Sequence, residues 1–170
     1  RVTDADGRPA VAFSQVDAVL SWWSVPRGAL RLHLLRITGP TLNLRRDAQG
    51  HFFIAGIPLS SEQDGPGFPD WLLAQRRLRI QGATLIWEDA LRGAPPLVLT
   101  DLALALDNER GHHRFGLTAQ PPAALASKID LRGDFSGKSV ADIKQWSGQA
   151  YSRIEYADLA VWQQWLDYPI

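Results

Sequence analysis

The first place to look for chemistry is Gly133-Asp134-Phe135-Ser136-Gly137-Lys138-Ser139, which is close to a phosphate-binding loop. Such a loop needs four residues between its glycines so that successive backbone N–H groups curl around a phosphate. Only Asp134, Phe135 and Ser136 stand between them here. The flank fits poorly too, because the preceding residues alternate charged and apolar, whereas strands feeding phosphate loops are buried on both faces. Nucleotide binding is not expected. His33, His51, His112 and His113 show no HxH, HxxxH or HExxH spacing, so no metal site is expected. All four read as solvated strand or turn side chains, with His112 and His113 in a turn and pointing apart. There is no Gly-x-Ser-x-Gly elbow for a serine nucleophile. Carboxylates stand singly on polar strand faces, and nothing pairs them for acid–base work. The chain has no cysteine, which excludes thiolate chemistry and disulfides. The reading is a non-enzymatic chain, with no catalytic residues, no metal and no cofactor.

The elements that would position any site are mainly strands. From Lys128 to Phe135, charged Lys128, Asp130, Arg132 and Asp134 alternate with Ile129, Leu131, Gly133 and Phe135. A period of two puts the charges on one sheet face and the apolar groups on the other. Leu102, Leu104 and Leu106 alternate with Asp101, Ala103, Ala105 and Asp107, and Phe115, Leu117 and Ala119 follow a turn over 108–111. That pair reads as a hairpin. Earlier strands are expected over 10–20, 30–38, 41–46 and 51–55, with a turn at Asp47-Ala48-Gln49-Gly50. Helices are expected to be few and short. They would be an irregular corner over 21–27, a helix over 69–75 opened by Pro69, another over 139–146, and a last one capped by Asp158 with Leu159, Trp162 and Leu166 on one face. Residues 60–69 read as a mobile loop, and Ala94-Pro95-Pro96 and Pro121-Pro122 as loop edges.

A short repeat carries more information. Arg36-Ile37-Thr38-Gly39-Pro40-Thr41-Leu42-Asn43-Leu44 matches Arg79-Ile80-Gln81-Gly82-Ala83-Thr84-Leu85-Ile86-Trp87 in Arg, Ile, Gly, Thr and Leu. In both copies the apolar parity slips at the glycine. Ile37 is odd and Leu42 and Leu44 are even; Ile80 is even and Leu85 and Trp87 are odd. A one-residue slip turns the apolar set to the wrong face unless a bulge or kink restores it, and Gly tolerates that backbone. Kinks at Gly39 and Gly82 predict a bent sheet of extended, repeating architecture.

Composition narrows the function classes. Across 170 residues 45% are hydrophobic, enough for a core, and Lys+Arg 18 balance Asp+Glu 18. Nucleic acid binding is not expected without a basic excess. The clusters Arg45-Arg46 and Arg76-Arg77 with Arg79 read as solvated sheet face. No apolar run approaches the roughly 18 residues that span a bilayer. Arg1-Val2-Thr3-Asp4 and Tyr168-Pro169-Ile170 read as cuts within a longer chain. Seven tryptophans, Trp22, Trp23, Trp71, Trp87, Trp146, Trp162 and Trp165, read chiefly as staples of short helices onto the sheet.

Several blocks in order resemble one family. They are Leu20-Ser21-Trp22-Trp23-Ser24, Arg27-Gly28-Ala29-Leu30-Arg31-Leu32, Gly39-Pro40-Thr41-Leu42-Asn43-Leu44-Arg45-Arg46-Asp47, Pro69-Asp70-Trp71-Leu72-Leu73-Ala74-Gln75, Gly93-Ala94-Pro95-Pro96-Leu97 and Asp130-Leu131-Arg132-Gly133-Asp134. Together they resemble the N-terminal periplasmic region of AsmA-like proteins, in the YhdP branch, over about residues 4–166. The resemblance implies a large Gram-negative envelope protein, anchored in the inner membrane by a helix absent here, whose β-sheet curls into a hydrophobic groove carrying phospholipid towards the outer membrane. It supplies no catalytic residues. The expected fold is mostly β with a few short helices, an extended, curved antiparallel sheet forming a taco-shaped groove, with 1–170 a single β-rich segment. The expected partners are phospholipid acyl chains, the rest of the parent chain and, through the missing anchor, the inner membrane. Candidate groove residues are Leu102, Leu104, Leu106, Phe115, Leu117, Ile129, Leu131 and Phe135. The alternative is a structural cap or interaction module closing the membrane-proximal end of the groove.

Overall fold

Alternating apolar residues punctuated by Gly and Asp turns draw this chain into strands, as its computed structural model shows for residues 2–3, 9–12, 14–20, 32–59, 68–138 and 144–166. The strands are β1 (Val2–Thr3), β2 (Pro9–Ala12), β3 (Gln15–Leu20), β4 (Leu32–Thr38), β5 (Thr41–Arg46), β6 (Phe52–Ile54), β7 (Ile57–Pro58), β8 (Arg77–Asp89), β9 (Ala94–Glu109), β10 (His112–Gln120), β11 (Ile129–Ser136) and β12 (Ser147–Arg153). Two helices, α1 (Phe68–Ala74) and α2 (Leu159–Trp162), complete the described elements. The described strands form one large, curved, unclosed sheet. Its main order is β1-β2-β5-β8-β9-β10-β11-β12, with β4 also beside β8, β3 beside β4, and the β6–β7 hairpin on β5.

Local turn chemistry sets the hairpins. Arg110 and Gly111 both have positive φ, 52° and 78°, the signature of a two-residue turn whose twist matches antiparallel strands. β9 therefore runs on through Glu109, and the turn is shorter than the expected 108–111. Ala55 and Gly56 repeat this geometry at φ 52° and 80°, adding β7, which was not expected. The Asp47 carboxylate accepts from Gln49 N and His51 N at 2.9 and 2.8 Å, closing the expected turn before β6. The Pro95-Pro96 pair lies inside β9 rather than at a loop edge, where an irregular register with β8 between Trp87 and Asp89 accommodates it. Of the other expectations, 21–27, 60–67 and 139–143 lie outside the described residues.

The repeat in the sequence is the register of the sheet. β4 and β5 run parallel to β8, pairing Arg36 with Arg79, Ile37 with Ile80, Thr41 with Thr84, Leu42 with Leu85 and Leu44 with Trp87. The sheet is thus mixed, and the expectation of antiparallel neighbours fails at these two pairings. Matched copies read in the same direction can align like with like only in parallel, and the long connection through β6, β7 and α1 permits the return. Gly39 and Gly82 share φ +61°, in the left-handed region, as the parity slip requires.

The irregularity crosses several strands. The expected strand over 10–20 divides into β2 and β3, which pair with β5 and β4 on either side of the Gly39 bend. Ser14 N donates to Thr38 O, Gly39 N to Gln81 O, and Thr84 N to Pro40 O, at 3.1, 2.9 and 2.9 Å. On β9 the parity changes at Asp101, φ 48°, and β10 shifts register between Thr118 and Gln120. Side chains on one face thereby stay apolar on both sides of the crease. Leu78, Ile80, Ala83, Leu102, Leu106 and Ala119 form the main buried cluster.

A Cβ on Gly82 would meet nothing within 4 Å, so substitution there isolates the backbone cost. Gly82→Ala is expected to lower the unfolding free energy by about 1–2 kcal/mol in urea titrations. Gly116→Ala, equally open and without positive φ, is expected to be neutral or slightly stabilising.

Candidate functional site

The helices lie over the apolar face of the sheet, and all eight candidate groove residues share that face. Leu104 stands opposite Leu117, which stands opposite Leu131, while Leu106 pairs with Phe115 and Phe115 with Gly133. The structure divides these residues into two groups. Leu102 and Leu106, 5% and 7% exposed, are sealed in the main cluster, with Leu104, Phe115 and Leu117 half-buried against it. Ile129 and Leu131 instead line open space. Phe135 stacks on Phe115 with centroids 6.0 Å apart and planes 9° from parallel.

That stacking explains the glycine spacing that resembled a phosphate loop. Gly133 lies inside β11, and a Cβ there would collide with the rings of Phe115 and Phe135. A Cβ on Gly137 would collide with Trp146. The two glycines make room for aromatic rings.

Each end of the face is covered. At the α1 end, Leu72 packs on the main cluster. Asn108 Nδ2 donates to Leu72 O and Gln75 O at 3.3 and 2.8 Å, which turns its Oδ1 towards His113 Nδ1 at 2.7 Å. His113 Nε2 lies 3.1 Å from Gly137 O, and its ring stacks on Trp146 at 4.9 Å. His113 is thus buried, not solvated as expected, because inward parity on β10 carries it under these groups. His112 points the other way, 2.8 Å from Asp134.

At the α2 end, the Asp158 carboxylate accepts from Val161 N at 3.2 Å, capping the helix as expected. Trp162 Nε1 donates to Leu125 O at 3.1 Å and Trp165 Nε1 to Pro95 O at 2.8 Å. Trp165, Leu97 and Leu125 form a second buried cluster. Trp162 and Trp165 are staples in the expected sense. Trp71 is 37% exposed, and its neighbour Leu72 packs on the main cluster. Trp22 and Trp23 lie outside the described residues.

Charge also marks this face. Asp89 follows Trp87 in the same parity, and its buried carboxylate takes two hydrogen bonds from Arg46, one of them Nε–Oδ1 at 2.9 Å, and one from Arg92 N at 3.1 Å. Burial alone would raise the Asp89 pKa, but the Arg46 hydrogen bonds, the Arg92 N–H and both positive charges hold it below the ordinary carboxylate value. The Arg46 guanidinium also lies 5.7 Å from the Phe52 ring centre.

Between β11 and α2 a cleft stays open. It encloses about 480 Å³ and is lined by Ile129, Leu131, Ile154, Ala157, Leu159, Trp162 and Leu166. Leu159 is 61% exposed and Leu166 45%, so the expected face of α2 exists but looks into the cleft instead of closing it. Beyond β11 lies β12, exposed along its whole length. On the same apolar face, Trp87 Nε1 is buried without a hydrogen-bond partner among the described residues. Sequence periodicity could not find Ile154, Ala157 or Trp87 Nε1 as cleft or orphan groups, because their roles depend on where α2 docks.

The arrangement is groove-like: a curved, unclosed sheet with one apolar face, packed under α1 and α2 and open beside β11 and α2. A family model described as YhdP protein matches residues 1–168, and the chain belongs to that family. Neither a curated protein nor a solved structure matches it.

Two substitutions test the packing. Asp89→Ala leaves Arg46 buried without its partner and is expected to cost about 3 kcal/mol. Because the folded pKa of Asp89 is depressed, its stabilisation is complete above the ordinary value of 3.8 and is lost as pH falls through the lower folded value, so the wild-type advantage over Asp89→Ala in urea melts should shrink only below about pH 4. Gly133→Ala is expected to cost about 2 kcal/mol by forcing Phe115 and Phe135 apart, with part recovered in the double variant with Phe115→Leu.

Proposed function

We propose that this segment holds phospholipid acyl chains on its apolar face, as a non-enzymatic part of an envelope protein that moves phospholipid from the inner to the outer membrane. The observation that carries the reading is the open apolar cleft beside Ile129 and Leu131 on an otherwise well-packed face. Each methylene buried there is worth roughly 0.8 kcal/mol, so a few at a time retain a chain while letting it slide. Membership of the YhdP family agrees with periplasmic residence and inner-membrane association of the parent protein.

A second reading is favoured by the buried Trp165 cluster and the Arg46–Asp89 pair. Both block the same end of the face, as a structural cap closing a groove would.

Photoreactive residues at Leu131 and Leu159 distinguish the two. Under the lipid reading, both crosslink to phospholipid in cells and mass spectrometry finds phospholipid on the purified chain. Leu131→Asp is expected to abolish the lipid signal while Leu106, sealed in the core, yields no crosslink in either protein. Clean protein with no crosslink from the cleft positions would leave the cap.

A further inference from the structure

The face opposite the helices carries a second hollow, of about 580 Å³, at the start of β8 and around the β9–β10 turn. Arg76, Arg77 and Arg79 reach it from β8 and the residue before it. The fold adds Arg110 from the turn and Arg114 from β10. In sequence the first three read as ordinary solvated surface, because the other two are some thirty positions away.

The charges there do not balance. Only Asp107 and Glu109 among the lining residues are acidic. Both Asp107 oxygens are 2.8 Å from Arg79 Nη2, and Arg77 approaches the same carboxylate only to 3.6 Å. Arg114 stands 3.8 Å from Asp134, a carboxylate already 2.8 Å from His112. Among the described residues Arg76 and Arg110 form no ion pair. Arg79 is held fast, since its Nη1 also donates to Leu78 O and Leu106 O at 2.9 Å. Arg79 is thus pinned, while Arg76, Arg77, Arg110 and Arg114 line the same hollow without a carboxylate of their own. Surplus like charges on one sheet face repel, and an anion among them removes that repulsion. Guanidinium forks match tetrahedral oxyanions, which accept paired N–H donors from several directions at once.

We infer that this arginine hollow binds a phosphate-bearing anion, on the face of the sheet away from the apolar cleft and independently of it. The group could be carried by a soluble phosphate compound or displayed as a headgroup at a membrane surface, and the chemistry of capture is the same.

The test uses the whole chain, its R76E/R110E variant and, as a second variant, Arg110→Asn, which removes charge while suiting the positive φ of the turn. Inorganic pyrophosphate is titrated by calorimetry. Flotation is measured with phosphatidylcholine vesicles with and without phosphatidylglycerol. Saturable binding of either probe is expected, weakening with added salt, about tenfold or more weaker in R76E/R110E and measurably weaker in Arg110→Asn. Arg45→Glu, in the other basic pair, should leave it unchanged. Binding of pyrophosphate alone assigns a soluble ligand, and binding of anionic vesicles alone assigns a surface headgroup. The inference is overturned if neither probe binds saturably, or if both arginine variants, folded by circular dichroism, bind as the parent does.

Discussion

The backbone bend at Gly39 and Gly82 is the constraint on which the apolar face depends. Side chains alternate strictly along a strand, so a strand thirteen residues long cannot present Leu78 and Ile80 on the same face as Ala83, Leu85 and Trp87 unless one residue is taken out of phase. A left-handed residue does this, and φ +61° in both glycines places the step at the same level of two neighbouring strands. Hydrogen bonds from Gly39 N to Gln81 O and from Thr84 N to Pro40 O tie the two bends together. β9 meets the step with Asp101 in a conformation that L side chains disfavour, so the crease is maintained against local cost.

What lies on that face follows from how its ends are closed. Asn108 satisfies the carbonyls of Leu72 and Gln75 at the end of α1 and is itself held by His113, and the indole N–H groups of Trp162 and Trp165 fasten the α2 end to Leu125 and Pro95. α2 is a single turn, too short to be stable without these anchors. Being so short, it covers Leu97 and Leu125 but cannot reach across to Ile129 and Leu131, and the cleft is the space left over. The opposite face follows a different rule, in which shared carboxylates leave arginines in surplus.

Much of this was legible from residues alone. The hairpin of β9 and β10, the alternation in β11, the Asp47 turn, the Asp158 cap and the family blocks all rest on contacts within a few residues or on strict periodicity. The pattern of Leu102, Leu104, Leu106, Phe115, Leu117, Ile129, Leu131 and Phe135 correctly put them on one face. It could not separate the sealed pair, Leu102 and Leu106, from the cleft pair, Ile129 and Leu131, because exposure is decided by elements remote in sequence. The same reason accounts for His113, whose burial depends on α1 and Trp146.

The alternation of faces, the two glycine bends and their equal phase are written into the residue order, since each is a consequence of local stereochemistry. Folding adds that the repeated segments lie side by side in parallel, that Gly133 and Gly137 shelter aromatic rings, and that Arg110 and Arg114 join the Arg76 cluster. Those outcomes depend on which distant strands meet, and strand pairing over such separations is chosen by the burial of the whole face, not by any one segment.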